Sequence, residues 1–263
     1  MVNVLSVILL ILMMLIGKDH GLQAFLTILM NIAILAAAVF TIIWGGSPLL
    51  VGGAAGLLLT CLILFYQNGN NTKTRTAFAV ITIVLLVMLF IGTYFSCAGL
   101  SAGYSEVKIS LDDGLFLDGN VSLSMVQIEI VIILLGLLGA VKDTAVAVTS
   151  AVYEVHRNNP SLMPSQLLVS GMNIGREILA TTMNTLFFTC IGESLLLFNI
   201  VCYWGYSFSF FINSKALYQV LLFSGIAGLG CIAAIPLSAF AMTFVLKHRH
   251  DTKESMMDET NHD

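Results

Sequence analysis

Long apolar runs separated by short polar interruptions fill this chain from one end to the other. A hydrocarbon core of about 30 Å needs roughly 17 to 25 apolar residues in a helix, and cutting the sequence at its polar punctuation gives seven segments of that order. The first, residues 1–16, is short; it has no basic stretch ahead of it and no small-residue cleavage site before Lys18, so it reads as an uncleaved anchor. The second covers 22–44, and the turn Gly45-Gly46-Ser47-Pro48 separates it from a third that ends near Tyr66. Beyond the break QNGNNTKTR, at 67–75, the fourth covers 77–97. A polar stretch follows at 101–124, with Glu106, Asp112, Asp113 and Asp118 against Lys108 alone. The last three segments, 125–152, 174–203 and 217–246, are longer than a perpendicular crossing needs, so they must tilt or protrude.

The pattern therefore predicts an all-α, polytopic integral membrane protein of about seven transmembrane helices. Three regions are expected: a four-helix membrane region at 1–124 with an outer loop at 98–124, a three-helix region at 125–246 with a cytoplasmic hairpin at 157–172, and a charged tail at 247–263. Composition agrees, since 58% of the 263 residues are hydrophobic and 10% charged, where soluble domains carry about 25% charged residues. Basic residues set the orientation. Lys18, Lys73, Arg75, Lys142, Arg157, Arg176, Lys247, Arg249 and Lys253 fall on one side and only Lys108 and Lys215 on the other, 9 against 2. Discounting Lys142 and Arg176 as intramembrane still leaves 7 against 2. By the positive-inside rule the N-terminus and the acidic loop are outside and the tail is cytoplasmic.

A net charge of -4 leaves no basic excess for a phosphate backbone, so nucleic acid is not an expected partner. Cys61, Cys97, Cys190, Cys202 and Cys231 sit in or at the edge of apolar runs without CxxC or histidine spacing, and read as small apolar side chains. Nucleotide-loop, zinc-protease and nucleophile-elbow motifs are missing, and the five histidines lie in loops or the tail. No enzyme activity, cofactor or metal is expected. The sequon Asn120-Val121-Ser122 falls in the outer loop, where chance occurrence is common.

Ionisable groups in hydrocarbon are costly and usually mark a function, and two helices carry nearly all of them. On the fifth segment Asp143, Ser150 and Glu154, at steps of 7 and 4, lie within one narrow face, with Glu129 pointing roughly the same way and Lys142 one residue off the stripe. On the sixth, Asn173, Glu177 and Asn184 share a face, with Arg176 beside them. Joined by the hairpin RNNPSLMPSQLLVSGM, the two helices are expected to turn these stripes inward and to bring Asp143 within reach of Arg176 or Asn184. A static ion pair holding two helices in register is the plain alternative to a moving one. Gly136, Gly139 and Ala140, together with Ser224, Gly225, Gly228 and Gly230 ahead of Pro236, offer small-residue packing seams.

The segments GAVKDTAVAVTSAVYEV and PSQLLVSGMNIGREILATTMNTLFFTCIGESL, within 139–195, resemble the central signature of the YibE/F-like membrane protein family. Length and the lack of a large extra domain resemble its smaller, YibF-type member. The resemblance implies a multi-spanning protein of the bacterial plasma membrane, a permease or the membrane subunit of a transporter, paired with a larger YibE-type protein; it names no substrate. Lys142-Asp143-Thr144, Arg157, Asn158, Asn173, Arg176, Thr181 and Thr182 are also distantly similar in order to the proton-responsive core of SecD/SecF and resistance-nodulation-division proteins. There Lys142 stands in place of an Asn, and the Asn173 to Arg176 spacing is shorter than that pattern has. Taken together, Lys142, Asp143, Thr144, Ser150, Asn173, Arg176, Glu177 and Asn184 are the expected ion relay or polar core, in contact with the bilayer and an unidentified small solute or ion. A non-transporting scaffold obligately paired with the YibE-type homologue is the competing expectation.

Overall fold

The computed structural model describes residues 2–99 and 124–260, with side chains at 4–17, 21–99 and 124–248. Among them all regular structure is helical. The outer-loop acids, Lys108 and the sequon lie outside the described residues.

Helix α1, Val2–Ile43, joins the first two apolar segments. A Cβ at Gly21 would collide with the Met13 carbonyl, so the chain bends there in a way only glycine permits. The expected first crossing is corrected on length. Val4–Gly17 is apolar but too short, whereas Gly21–Ile43 is one of six helices of crossing length among the described residues: 14 residues rise only about 21 Å, less than the hydrocarbon core. Six crossings among the described residues would put the residues before Gly21 on the side of the C-terminal tail, the basic side to which Lys18 belongs, rather than outside, where the seven-segment count places them.

Helix α2, Pro48–Cys61, opens on a proline whose missing N–H would be unpaired in any first turn, and runs on as a π-helical segment, Leu62–Gln67. Helix α3, Thr72–Ala98, starts after extended Asn71. Helix α4, Met125–Asn158, stops just ahead of Asn159-Pro160, where the residue before proline is barred from the helical region. Helix α5, Pro164–Tyr203, again starts on proline, with the Gln166 side chain accepting from Met163 N at 3.1 Å. A five-residue helix α6, Phe208–Ile212, is capped by Ser207 and flanked by the stacked Tyr206–Phe210 pair, at a 4.4 Å centroid spacing. Aromatic clusters of this kind suit a membrane interface. Helix α7, Lys215–Thr260, contains Pro236 and carries the backbone through most of the expected tail.

Helix α4 is central. It packs against α3, α7, α5 and α2, while α1 lies outermost, against α2 and its π-helical extension. The main core joins Val80, Ile81, Val84 and Met88 of α3 to Ile133, Leu137 and Val141 of α4 and Ile226, Cys231 and Ala234 of α7. Glycines let these helices approach: Gly136 of α4 lies against the Phe223 ring, and a Cβ at Gly230 of α7 would sit 2.9 Å from Val141 Cγ2. Close backbone approach of this kind stands in for the hydrophobic drive that lipid, as apolar as leucine, does not supply. A second cluster, Val148, Val152, Ile235, Ala239 and Met242, continues the seam towards the basic end.

Candidate functional site

Lys142, Asp143 and Thr144 are consecutive on α4, so at about 100° per residue they point in three directions. Thr144 points into the bundle; it is fully buried and its hydroxyl donates to the Ala140 carbonyl at 2.8 Å. Asp143 points out, with 77% of its side chain exposed, and Lys142, at 18%, lies between, its Nζ 3.5 Å from Asp143 Oδ1. The carboxylate thus pairs with its own neighbour. Ser150 is half-buried and Glu154 exposed on the same helix.

On α5 the buried positions over the whole helix are Leu167, Gly171, Gly175 and Val201. Asn173 and Glu177 each follow a buried glycine by two residues, about 200° around the helix, and both are exposed, as are Arg176 and Asn184. The polar stripe therefore faces away from the bundle. This corrects the inward placement expected from the sequence. No hydrogen bond or ion pair joins Asn173, Arg176, Glu177 or Asn184 to another described residue, and the structure records no Asp143–Arg176 contact. Only 6% of α5's apolar stretch is buried, against 39% for α4 and α7.

Register nevertheless puts these groups at one depth. A Cβ on Gly171 would meet Val152 Cγ2 at 2.6 Å, so in the antiparallel α4–α5 pair Asp143 is level with Ala180, one turn from both Arg176 and Asn184. The first turn of α3, with Lys73 and Arg75, lies beside Ser150. Asp143, seven residues further in, is about 10 Å deeper. The result is a polar band in the half of the membrane nearer the basic end, on a surface that this chain leaves open.

One polar pair outside the expected site is enclosed. Ser96 of α3, fully buried, donates to Glu129 Oε2 of α4, and Glu129 Oε1 is buried without a partner. Glu129 is isolated among Ile128, Ile130 and Val131, and that isolation is the sequence signal that marks it. Among the described residues no three of His, Cys, Asp and Glu come close enough to hold a metal ion, and the cysteines are free. Chemically the band offers a carboxylate able to exchange a proton or cation, a lysine beside it, and a guanidinium, a second carboxylate and two carboxamides that make no hydrogen bond or ion pair to other described residues.

The profile of the YibE/F-like protein family matches residues 5–248. Neither a curated protein nor a solved structure matches the chain, and the SecD/SecF likeness has no counterpart in these comparisons.

Proposed function

The chain belongs to the YibE/F-like protein family, and on that footing we propose that it is the membrane subunit of a bacterial plasma-membrane transporter, one whose polar pathway lies on the α4–α5 surface and is closed by a second membrane chain. The observation that carries this reading is the open band: Asp143 is 77% exposed, and α5 presents Asn173, Arg176, Glu177 and Asn184 on the side away from its own bundle. A charged side chain facing lipid near the membrane centre costs about 2.5–3.5 kcal/mol even on the lenient insertion scales. A partner helix that hydrogen-bonds these groups removes that cost, and a file of polar groups between two chains is a path for a small ion. In this reading Asp143 changes protonation or cation occupancy while Lys142 stabilises its charge and Asn173, Arg176, Glu177 and Asn184 contact the partner or the passing ion. Ser150 borders the path from α4, while Thr144, buried inside the bundle, lies behind it. The larger YibE-type family member is the partner this reading favours.

The same open band supports a second reading, a scaffold whose polar groups serve assembly alone. One experiment separates the two. Proton and cation flux is measured in proteoliposomes holding the chain with its YibE-type partner, wild type against Asp143→Asn at equal incorporation, and the recovery of the complex is measured alongside. A transporter subunit should lose flux at least tenfold with the complex intact. A scaffold should show no flux in either protein and reduced recovery in the variant; that result would remove the ion-pathway reading.

A further inference from the structure

At the basic end of the bundle the first turn of α3 and the facing turns of α4 enclose a cavity of about 110 Å³, walled by Asn68, Asn71, Lys73, Thr74, Thr149 and Ser150 over an apolar floor that includes Leu64. Lys73 is the only charged residue in this wall, and no carboxylate lines it. The 27-residue helix α3 begins here without a cap, since Asn71 makes no side-chain bond to the first turn. Its Nδ2 turns back instead to the Asn68 carbonyl at 3.1 Å. The first intrahelical bond runs from Arg75 N to Asn71 O at 3.1 Å, so the amides of Lys73 and Thr74, just ahead of it, have no helical carbonyl to reach. Arg75 is drawn off, its Nε donating to Asn70 Oδ1 at 2.8 Å.

Thr74 is the second and independent sign of a ligand. It is 3% exposed, and its buried Oγ1 has no hydrogen-bond partner. Other threonines of this helix satisfy themselves on the carbonyl four residues back, as Thr76 does on Thr72 O at 2.9 Å. Thr74 has no such recourse, because four residues back the chain is not yet helical. The Thr149 hydroxyl across the cavity is already committed to the Ala145 and Val146 carbonyls, at 2.8 and 3.1 Å.

Free amides at a helix start, an uncommitted buried hydroxyl and one ammonium, with no acid nearby, make a site for negative charge. We propose that this cavity binds a phosphate-type oxyanion, held by the α3 amides, the Thr74 hydroxyl and the Lys73 ammonium. Its volume suits the size: on this measure one water needs roughly 10–15 Å³, so about 110 Å³ leaves room for an ion of several heavy atoms. The phosphate comes either from an anionic lipid headgroup at the basic face of the membrane or from a soluble phosphate compound. The groups that hold the oxyanion, the α3 amides, Thr74 and Lys73, are not residues of the exposed band, so the proposal stands apart from the transporter reading; Ser150 alone borders both.

The test uses the full chain in phosphatidylcholine nanodiscs in phosphate-free buffer. Inorganic phosphate is titrated against chloride at equal ionic strength in one arm, and phosphatidic acid replaces part of the phosphatidylcholine in the other. The readouts are thermal unfolding and the phosphatidic acid retained in native mass spectra. Wild type should show a saturable rise in Tm in at least one arm. Lys73→Gln should weaken it at least tenfold and Thr74→Val about fivefold. A response to phosphate alone identifies a soluble source, and a response to phosphatidic acid alone a headgroup. No response in either arm overturns the proposal, as does wild-type affinity in variants that fold. Should Thr74→Val fail to fold, Lys73→Gln, on a half-exposed position, decides alone.

Discussion

Ser96 and Glu129 show how a single buried hydrogen bond constrains a membrane helix pair. The Ser96 hydroxyl is the partner of Glu129 Oε2, while Oε1 already lacks one, so Ser96→Ala leaves both oxygens of the carboxyl without a hydrogen bond from α3. Leaving a buried polar group unmatched costs about 1–3 kcal/mol, whereas replacing both partners by apolar groups of similar shape is nearly neutral. In reversible unfolding in mixed micelles, Ser96→Ala should lose stability in that range, and Ser96→Ala with Glu129→Leu should recover most of it. If the double variant is as unstable as the single one, the pair is not what joins α3 to α4 at that level. Glu129 was legible in the sequence as an isolated acid in an apolar run; its partner was not, because Ser96 is 33 residues distant and nothing local links the two. Lys142 and Asp143 teach the converse. Their adjacency was in plain view, yet helical periodicity fixes an angle only relative to a helix's own axis, so it gave no means of telling that Asp143 turns outward and pairs with its neighbour.

At the level of elements, helix α5 owes its position to two glycines. The sequence placed a hairpin at 157–172 before a crossing at 174–203, but the helix starts at Pro164 and passes unbroken through Gly171 and Gly175. Both glycines are buried where α5 meets its neighbours: a Cβ at Gly171 would come within 2.6 Å of Val152 Cγ2 and 3.0 Å of Ala239 Cβ, and one at Gly175 would collide with Ile235. Glycine here serves as a packing surface rather than a terminator, a distinction that depends on what lies opposite and so is invisible locally. Gly175→Ala should therefore cost about 1–3 kcal/mol through overpacking. Gly192→Ala, where nothing lies within 4 Å, should be neutral or stabilising by up to about 1 kcal/mol, as replacing glycine in a helix interior usually is. Chemical unfolding of the two variants in the same micelles checks the contrast; equal effects would mean that the α5–α7 seam is looser than its geometry implies. The fully buried positions of α5 lie near its ends, at Leu167, Gly171, Gly175 and Val201, while Leu179, Met183 and Leu186 between them pack half-buried against the main core.

Across the whole molecule, the crossings were readable and the inner faces were not, for one physical reason. Lipid and protein interior are equally apolar, so hydrophobic periodicity, which in water separates core from surface, carries no such information in a membrane span. The polar stripe of α5 was therefore placed inward by the rule that intramembrane charges seek a partner. That rule holds if the partner lies on another chain. Asn184 is level with the Asp143 band, and Ile83 of α3, half exposed at 50%, faces outward from a helix that bears no polar stripe there. A photo-reactive amino acid in place of Asn184 should capture a membrane polypeptide in native membranes, identified by mass spectrometry as the larger YibE-type protein, while the same group at Ile83 should yield lipid adducts only. Capture of a second copy of this chain at Asn184 would keep the band as an interface but make the assembly homomeric. Lipid adducts at both positions would mean that the band meets the bilayer bare, and the subunit reading would fall with it.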